Sequence, residues 1–475
     1  MMARVLKWIL LFTLVFGALG AALYWYGSQD LPGYDDRGLV RLSQEQPDRG
    51  FNAADHLAFL KDENFSFSLS PALREKLHQD LEFKEWSLPE VMEVLAANQA
   101  YIESFVYASD QAYLRLSVTP GKPLDLPDHD SFFVLSRLVT LKARLLLASG
   151  NVGAAIDHAL VPLKFSALLM RDYGEDAIIS FIIGSALQSK SLQLIKDIAT
   201  AADTGAEQVA RLQVAIERLP RFWEDRFDRT LGIMIVRDVD YAHSMVPPSL
   251  PERIELFRQG SEILKGGESA VDWTYRLITT LLPRYFVHVN RYSENYSLRI
   301  SALASQYMKP CALLEYPPAP AHYNPLAWLG PLSPNVGGDY GAGYSEWFGS
   351  YLHRRCLLYT EREAIETQLA YERYRFKYSE YPSRPLQLVP EFLDSAPLDF
   401  FDGKPLRYSA SGRFLYSVGE NGIDDGGNLD FAELGYYQCS RDSDCRSNPT
   451  FALPAVNKVA SVGGSGVMHR TEHTH

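Results

Sequence analysis

Residues 138–169 read LVTLKARLLLASGNVGAAIDHALVPLKFSALL. Two apolar runs with spacings of three and four stand on either side of Gly150-Asn151. That spacing lays an apolar stripe along one face of a helix. The stretch therefore predicts a helix, a sharp break and a second helix. Ala143, Ala154, Ala155 and Ala159 are small enough for two antiparallel helices to approach closely. Pro162 stands inside the second run, where a missing N–H and a ring clash predict a kink.

The same periodicity extends both ways. Over 88–110 it places Val91, Val94, Leu95, Ile102 and Val106 on one face, and over 132–148 Phe132, Leu135, Leu138, Val139, Leu145 and Leu146. Further amphipathic helices are expected at about 176–200, 205–219, 222–245, 252–265 and 268–307. Residues 51–308 thus form a helical domain. The 138–169 hairpin resembles a tetratricopeptide-type unit, in which small residues surround an L-x-x-G-N turn. No second copy recurs at a period of about 34 residues, so an irregular helical bundle is the plainer expectation.

Residues 8–26, WILLFTLVFGALGAALYWY, carry no charge. A helix of that length spans roughly the 30 Å hydrocarbon core of a bilayer. Arg4 and Lys7 precede it, and Asp30, Asp35 and Asp36 follow. Positive charge stays cytoplasmic, so the expectation is a single-pass anchor (1–27) in a bacterial inner membrane with the bulk of the chain periplasmic. Tyr24, Trp25 and Tyr26 suit the far interface. The alternative is a cleaved signal peptide, since Ala18, Gly20, Ala21 and Ala22 offer cleavage sites; both readings export the chain. Residues 28–50 read as a polar linker.

The rest has ordinary globular composition. With 46 basic and 58 acidic residues the formal net charge is −12, which argues against general nucleic-acid binding, since that rests on neutralising phosphates. In an oxidising compartment the four cysteines pair as Cys439 with Cys445, across a short polar loop, and Cys311 with Cys356. The other reading is four reduced, buried thiols. No C-x-x-C occurs, so neither a thiol redox motif nor a zinc ribbon is supported. Residues 309–343 break the helical pattern with prolines, glycines and the aromatic residues Tyr316, Tyr323, Trp328 and Tyr340. Such a loop suits either a binding role or packing across the bundle.

From 344 a helix dense in Arg, Glu and Tyr resumes. Asp402-Gly403 signals a turn, 406–408 a short strand, Ser411-Gly412 a hairpin turn and 414–418 the returning strand. Tyr374, Tyr381, Pro382, Leu388, Val389, Pro390, Pro397, Asp399, Gly403, Pro405, Tyr408, Tyr416, Ser417, Gly419 and Gly422 fall in a run over about 364–431. That run resembles the C-terminal domain of type II secretion major pseudopilins. The resemblance implies a helix-plus-antiparallel-sheet cap within 344–453. It departs from the family upstream. Pseudopilins carry the membrane helix directly before this domain, with a processing Gly and a Glu inside it. Here residues 28–363 intervene, and Phe12-Thr13-Leu14 has neither. Residues 454–475 read as a disordered tail.

The loop 421–430, NGIDDGGNLD, is the best chemical site in the sequence. Calcium takes six to eight oxygen ligands from carboxylates, amides and backbone carbonyls. Asp424, Asp425, Asn428 and Asp430 offer such oxygens, and Gly426-Gly427 lets the chain wrap. The resemblance adds that major pseudopilins bind calcium in the corresponding loop. The spacing is not that of an EF-hand, and a solvated acidic turn has the same composition.

Catalytic motifs are missing. There is no H-E-x-x-H, phosphate loop, G-x-G-x-x-G or G-x-S-x-G. His158 reads as a core or boundary histidine, and His469, His473 and His475 fall in the tail. Pairs such as Glu361 with Glu363 and Glu252 with Glu255 read as solvated helix faces. The expectation is a mainly α protein with a small α+β cap that binds or scaffolds a protein partner. The alternatives are an exported hydrolase whose carboxylates meet only in three dimensions, and an accessory component of a secretion system.

Overall fold

The computed structural model describes residues 2–29, 51–62, 65–78, 83–114, 129–172, 177–218, 309–314, 344–432, 439 and 443–454, with 282, 288 and 290 as isolated positions. The helices expected at 222–245, 252–265 and 268–307, most of the 28–50 linker, residues 315–343 of the loop, and 455–475 lie outside them.

The described chain is mostly helical with a small antiparallel sheet. The helices are α1 (Met2–Gly27), α2 (Ala53–His56), α3 (Pro71–His78), α4 (Leu88–Ala97), α5 (Gln99–Ser109), α6 (His129–Ala148), α7 (Val152–Asp172), α8 (Ala177–Ala199), α9 (Ala206–Glu217), α10 (Tyr344–Tyr378) and α11 (Ser443–Ser447). Strands β1 (Arg407–Ser409), β2 (Phe414–Tyr416) and β3 (Thr450–Ala452) pair in that order.

The hairpin forms as its sequence requires. Gly150 adopts φ +76°, a left-handed conformation that glycine takes without steric cost. Asn151 then starts α7, its side-chain oxygen accepting from the Ala154 amide at 3.2 Å. Ala143, Ala155 and Ala159 are fully buried between the helices. A side chain at Gly184 on α8 would collide with Met170 and crowd the Ser166 carbonyl, so that glycine permits the close packing of α7 on α8. Helix α7 runs unbroken through Pro162.

The single helix expected over 88–110 is two helices. Asn98 divides them because its side chain serves tertiary partners. Its amide nitrogen donates to the Val94 and Ser68 carbonyls at 2.9 and 3.1 Å, and its oxygen accepts from the Ser68 amide at 3.0 Å. A buried amide satisfied in this way competes with the helical ladder.

Two apolar helices have opposite surroundings. Val152–Met170 is long and apolar enough to cross a membrane by length and composition, yet 67% of it is buried inside the protein. It is a core helix. In α1 the apolar run Phe12–Tyr26 is shorter and bare, with Phe12 64% and Trp25 67% exposed.

Helix α10 serves two cores. Ile365 and Leu369 complete the apolar cluster of α6–α9 that includes Ala159, Leu163, Ile195 and Leu212. Ala364, Ala370 and Tyr371 belong to the cluster built on Leu388, Leu406, Leu415 and Phe451 of the cap. A helix buried on opposite sides has no polar face, which is why its sequence carries little amphipathic signal.

The cap hairpin pairs Arg407 with Tyr416 and Ser409 with Phe414. Strand β2 ends at Tyr416 rather than continuing to Val418, because the Ser417 and Val418 side-chain and backbone groups turn to Asp399. Strand β3, unannounced in the sequence, adds to β2 with Leu415 opposite Phe451. Both disulfides are formed: Cys311–Cys356 ties a turn to α10, and Cys439–Cys445 closes the loop before α11.

Candidate functional site

The cap is organised around Asp399, whose side chain is wholly buried. Its Oδ1 accepts from the Phe401 amide at 3.0 Å and the Ser417 hydroxyl at 2.8 Å. Its Oδ2 accepts from the Val418 amide at 3.0 Å and from Arg407 Nη1 at 2.7 Å. Gly403, at φ +74°, closes the turn between them against Pro310. Burial pushes the Asp399 carboxyl above its ordinary value, with the two amides and Ser417 pulling the other way.

Arg407 is shared. Its Nη2 meets Asp402 Oδ2 at 2.5 Å, and its Nε lies 3.9 Å from Asp424 Oδ2. Burial raises the Asp402 carboxyl, but Arg407 and the Lys404 amide outweigh it and hold the carboxyl below its ordinary value. Arg407 therefore links the buried hub to the acidic loop.

Within that loop the residues expected to hold calcium are exposed or half-buried and bonded locally. Asp424 Oδ1 accepts from the Gly426 amide at 3.3 Å, and Asp425 Oδ2 from Asn421 Nδ2 at 3.1 Å. Asn428 Oδ1 accepts from the Asp430 amide at 3.0 Å and starts a short 3-10 turn, Leu429–Phe431. Among the described residues no three His, Cys, Asp or Glu side chains converge as a metal-binding group.

A concave site among the described residues lies elsewhere, between α9, α10 and the loop after Pro390. It is a cleft of about 640 Å³, and its lining includes Gln213, Glu217, Arg362, Glu366, Arg373 and Asp394. Gln213 is its keystone. The Gln213 amide donates to Glu217 Oε1 and to the Phe392 carbonyl, each at 2.8 Å, and its oxygen accepts from Arg373 Nη1 at 2.8 Å. Arg373 also lies over the Phe392 ring, 5.5 Å from its centre. Arg362 binds Glu366 at 2.9 Å and the Ile216 carbonyl at the end of α9 at 2.8 Å.

Neither a family model, nor a curated protein, nor a solved structure matches this chain.

The remaining singled-out residues have separate roles. Glu361 is fully buried and accepts from Ser189 and Gln193 of α8 at 3.1 and 2.8 Å, so it faces the bundle rather than solvent. Glu363 accepts from the Leu398 amide at 3.0 Å on the cap side. The two therefore serve different neighbours, and the reading of them as one solvated face is corrected: a helix buried on both sides puts alternate residues into different interfaces. His158 is half-buried. Its Nδ1 donates to the Ala154 carbonyl at 2.9 Å, and burial holds its pKa below the ordinary value. His469, His473, His475, Glu252, Glu255 and the loop aromatics Tyr316, Tyr323, Trp328 and Tyr340 lie outside the described residues. The cleft was missed in the sequence because its residues come from three separated segments, and Gln213 carries no motif.

Proposed function

We propose that this chain is a membrane-anchored periplasmic binding or scaffold protein of the bacterial envelope. The observation that carries the binding role is the charged cleft at the seam of body and cap. Two of its arginines, Arg362 and Arg373, are engaged by Glu366, the Ile216 carbonyl and Gln213. Its rim adds exposed Glu217 and Asp394, a surface suited to polar contacts from a protein partner. Export is supported by the four cysteines, all of which are paired. It is also supported by the bare apolar face of α1 with Tyr24, Trp25 and Tyr26 at its end. The cap's long helix followed by an antiparallel hairpin fits a pseudopilin-like module, and the α6–α7 hairpin fits a tetratricopeptide-like unit.

The direct test places a photo-crosslinking side chain at Asp394 in the full-length protein in its native membrane. A discrete adduct, lost in Glu217→Lys and not formed from Glu103 on α5, is expected. Equal labelling from both positions would sink the binding role. Topology is tested with impermeant thiol reagents on cells after reduction: labelling of Cys439 from outside the inner membrane is expected, and protection would overturn export.

Calcium belongs to the same proposal. The loop 421–430 supplies oxygens, and left-handed glycines at 422, 426 and 427 let it rearrange around an ion. An ion that binds only the folded form must raise the unfolding midpoint. A rise at millimolar calcium that disappears in Asp424→Ala is expected; an unchanged midpoint would remove calcium from the proposal.

A further inference from the structure

The Cys311–Cys356 disulfide is built asymmetrically. Cys356 lies within α10 and is completely buried; Cys311 is itself only 4% exposed, but it sits on a three-residue turn at the surface whose next residues, Ala312 and Leu313, are exposed. The neighbour of Cys356 is Arg355, only 1% exposed. Arg355 Nη2 donates to the Lys309 carbonyl at 2.6 Å and lies 3.6 Å from Cys356 Sγ. Its Nε and Nη1 are buried and have no hydrogen-bond partner among the described residues. Burial pushes this guanidinium down to about 10, which leaves it cationic at neutral pH. Among the described residues no carboxylate pairs with it; a buried cation without a counter-charge is costly, and a disulfide sulfur lies 3.6 Å from its Nη2.

We infer that this disulfide is a directional thiol–disulfide exchange site. A dithiol protein of the exported compartment attacks Cys311 Sγ, and Cys356 departs as a thiolate held by Arg355. A thiolate beside arginine is stabilised relative to its thiol, and a leaving thiol of lower pKa leaves faster. The partner's thiolate forms a new S–S bond to Cys311 as the Cys311–Cys356 bond breaks, with the electron pair remaining on Cys356 Sγ. The partner's second thiol then attacks the mixed disulfide and releases Cys311. Two electrons pass to the cysteines and the partner leaves oxidised. Cys311 takes one proton, and the second goes to solvent while Cys356 stays ionised. Run backwards, the same path closes the bond through a mixed disulfide on Cys311. The turn stays docked while the bond is open, because the Cys311 and Ala312 amides donate to the Phe400 and Phe401 carbonyls at 2.9 and 2.7 Å.

Among the described residues, ionisable side chains on the segments that flank the bond are Arg354 and Tyr359 on α10, Lys309 before the turn, and Asp399, Asp402 and Lys404 on the segment that the turn's amides bond to. Asp399 and Asp402 are engaged by Arg407. The second disulfide is an internal control. Arg446, beside Cys445, is already paired with Glu420 at 3.0 Å.

The test uses the full chain in detergent. In Cys311→Ser the lone thiol of Cys356 is titrated by thiolate absorbance, with Cys311→Ser/Cys356→Ser as the blank. The midpoint is expected below the ordinary value of about 8.5 and to rise by about one unit or more when Arg355→Met is added. Circular dichroism checks that each variant is folded. A midpoint at or above about 8.5 in folded Cys311→Ser, as for a thiol in apolar surroundings, overturns the inference. Direction is read separately with glutathione disulfide. Cys356→Ser is expected to form the mixed disulfide at Cys311 at least tenfold faster than Cys311→Ser forms one at Cys356. Equal or reversed rates overturn it too, whatever becomes of Arg355→Met.

Discussion

The helical body and the cap share α10 but are held together by different means. In the body, contact is apolar and close. Ala143, Ala155, Ala159 and Gly184 let α6, α7 and α8 approach, and Leu163, Ile195 and Leu212 fill the space between them. In the cap the apolar cluster is small, and a buried carboxylate organises the turns around it. Both disulfides fall at the cap: one closes its last loop and the other fixes a turn to its helix. A few tens of residues bury little surface, so covalent and polar ties replace area. The difference teaches that damage in the body should spread through packing, whereas damage in the cap should act through a single residue.

The largest effect is expected at Asp399. Replacing it with Ala leaves Arg407 with Asp402 and Asp424 as its remaining acidic neighbours among the described residues, and leaves the Phe401 and Val418 amides without their acceptor. Breaking a buried ion pair from one side costs about 3–5 kcal/mol. Hydrogen exchange is expected to rise over 397–432 and 443–453 while α6–α9 keep their protection. Equal loosening of both regions would show that the cap has no separate organisation. Leu163→Ala makes the reciprocal test. Leu163 is 1% exposed, and its truncation is expected to lower stability by about 2–4 kcal/mol. Protection should fall in α7, α8 and α9 together, with the Asp399 hub retained. A smaller effect is expected at Gly150→Ala. Nothing lies within 4 Å of the added carbon, so the cost is that of the left-handed backbone alone, about 1–2 kcal/mol. A neutral result would mean that the turn re-forms in another conformation.

The body was the more legible region for a physical reason. A helix packed on one side writes its partner into its own periodicity, as the stripe Phe132, Leu135, Leu138 and Val139 does, and Gly150-Asn151 writes the break between helices. The split at Asn98 was not readable, because the groups that claim its side chain include Ser68, thirty residues away. Helix α10 was recognisable as a helix while its two buried faces were not, since Ile365 and Tyr371 serve different cores. In the cap the hairpin was legible from Asp402-Gly403 and Ser411-Gly412. The hub was not, because Asp399, Arg407 and Ser417 meet only through the fold. The cleft around Gln213 was hidden for the same reason.

The smallest effect separates the regions by their response to acid. At the start of α4, Ser87 and Glu90 cap each other: the Ser87 amide donates to Glu90 Oε2 at 2.8 Å, and the Glu90 amide to Ser87 Oγ at 3.4 Å. Lys76 donates to the same carboxylate at 2.9 Å. The Ser87 amide first, and then Lys76, hold the Glu90 carboxyl down at about 2. A carboxyl lowered in the folded state contributes stability that is complete above its ordinary value near 4.5 and is lost as pH falls from there towards 2. Asp399 has the opposite sign. Its carboxyl is raised by burial, so its protonation is favoured in the folded state, and acid does not weaken the cap through this residue. Ser87→Ala is expected to cost about 1 kcal/mol at neutral pH. Glu90→Gln keeps an acceptor for the Ser87 amide but loses the charge facing Lys76. It should therefore cost little in acid and flatten the fall in body stability between about pH 4.5 and 2, read from urea midpoints followed by exchange in α4. An unchanged slope in Glu90→Gln would place the acid response of the body elsewhere and remove this contrast with the cap.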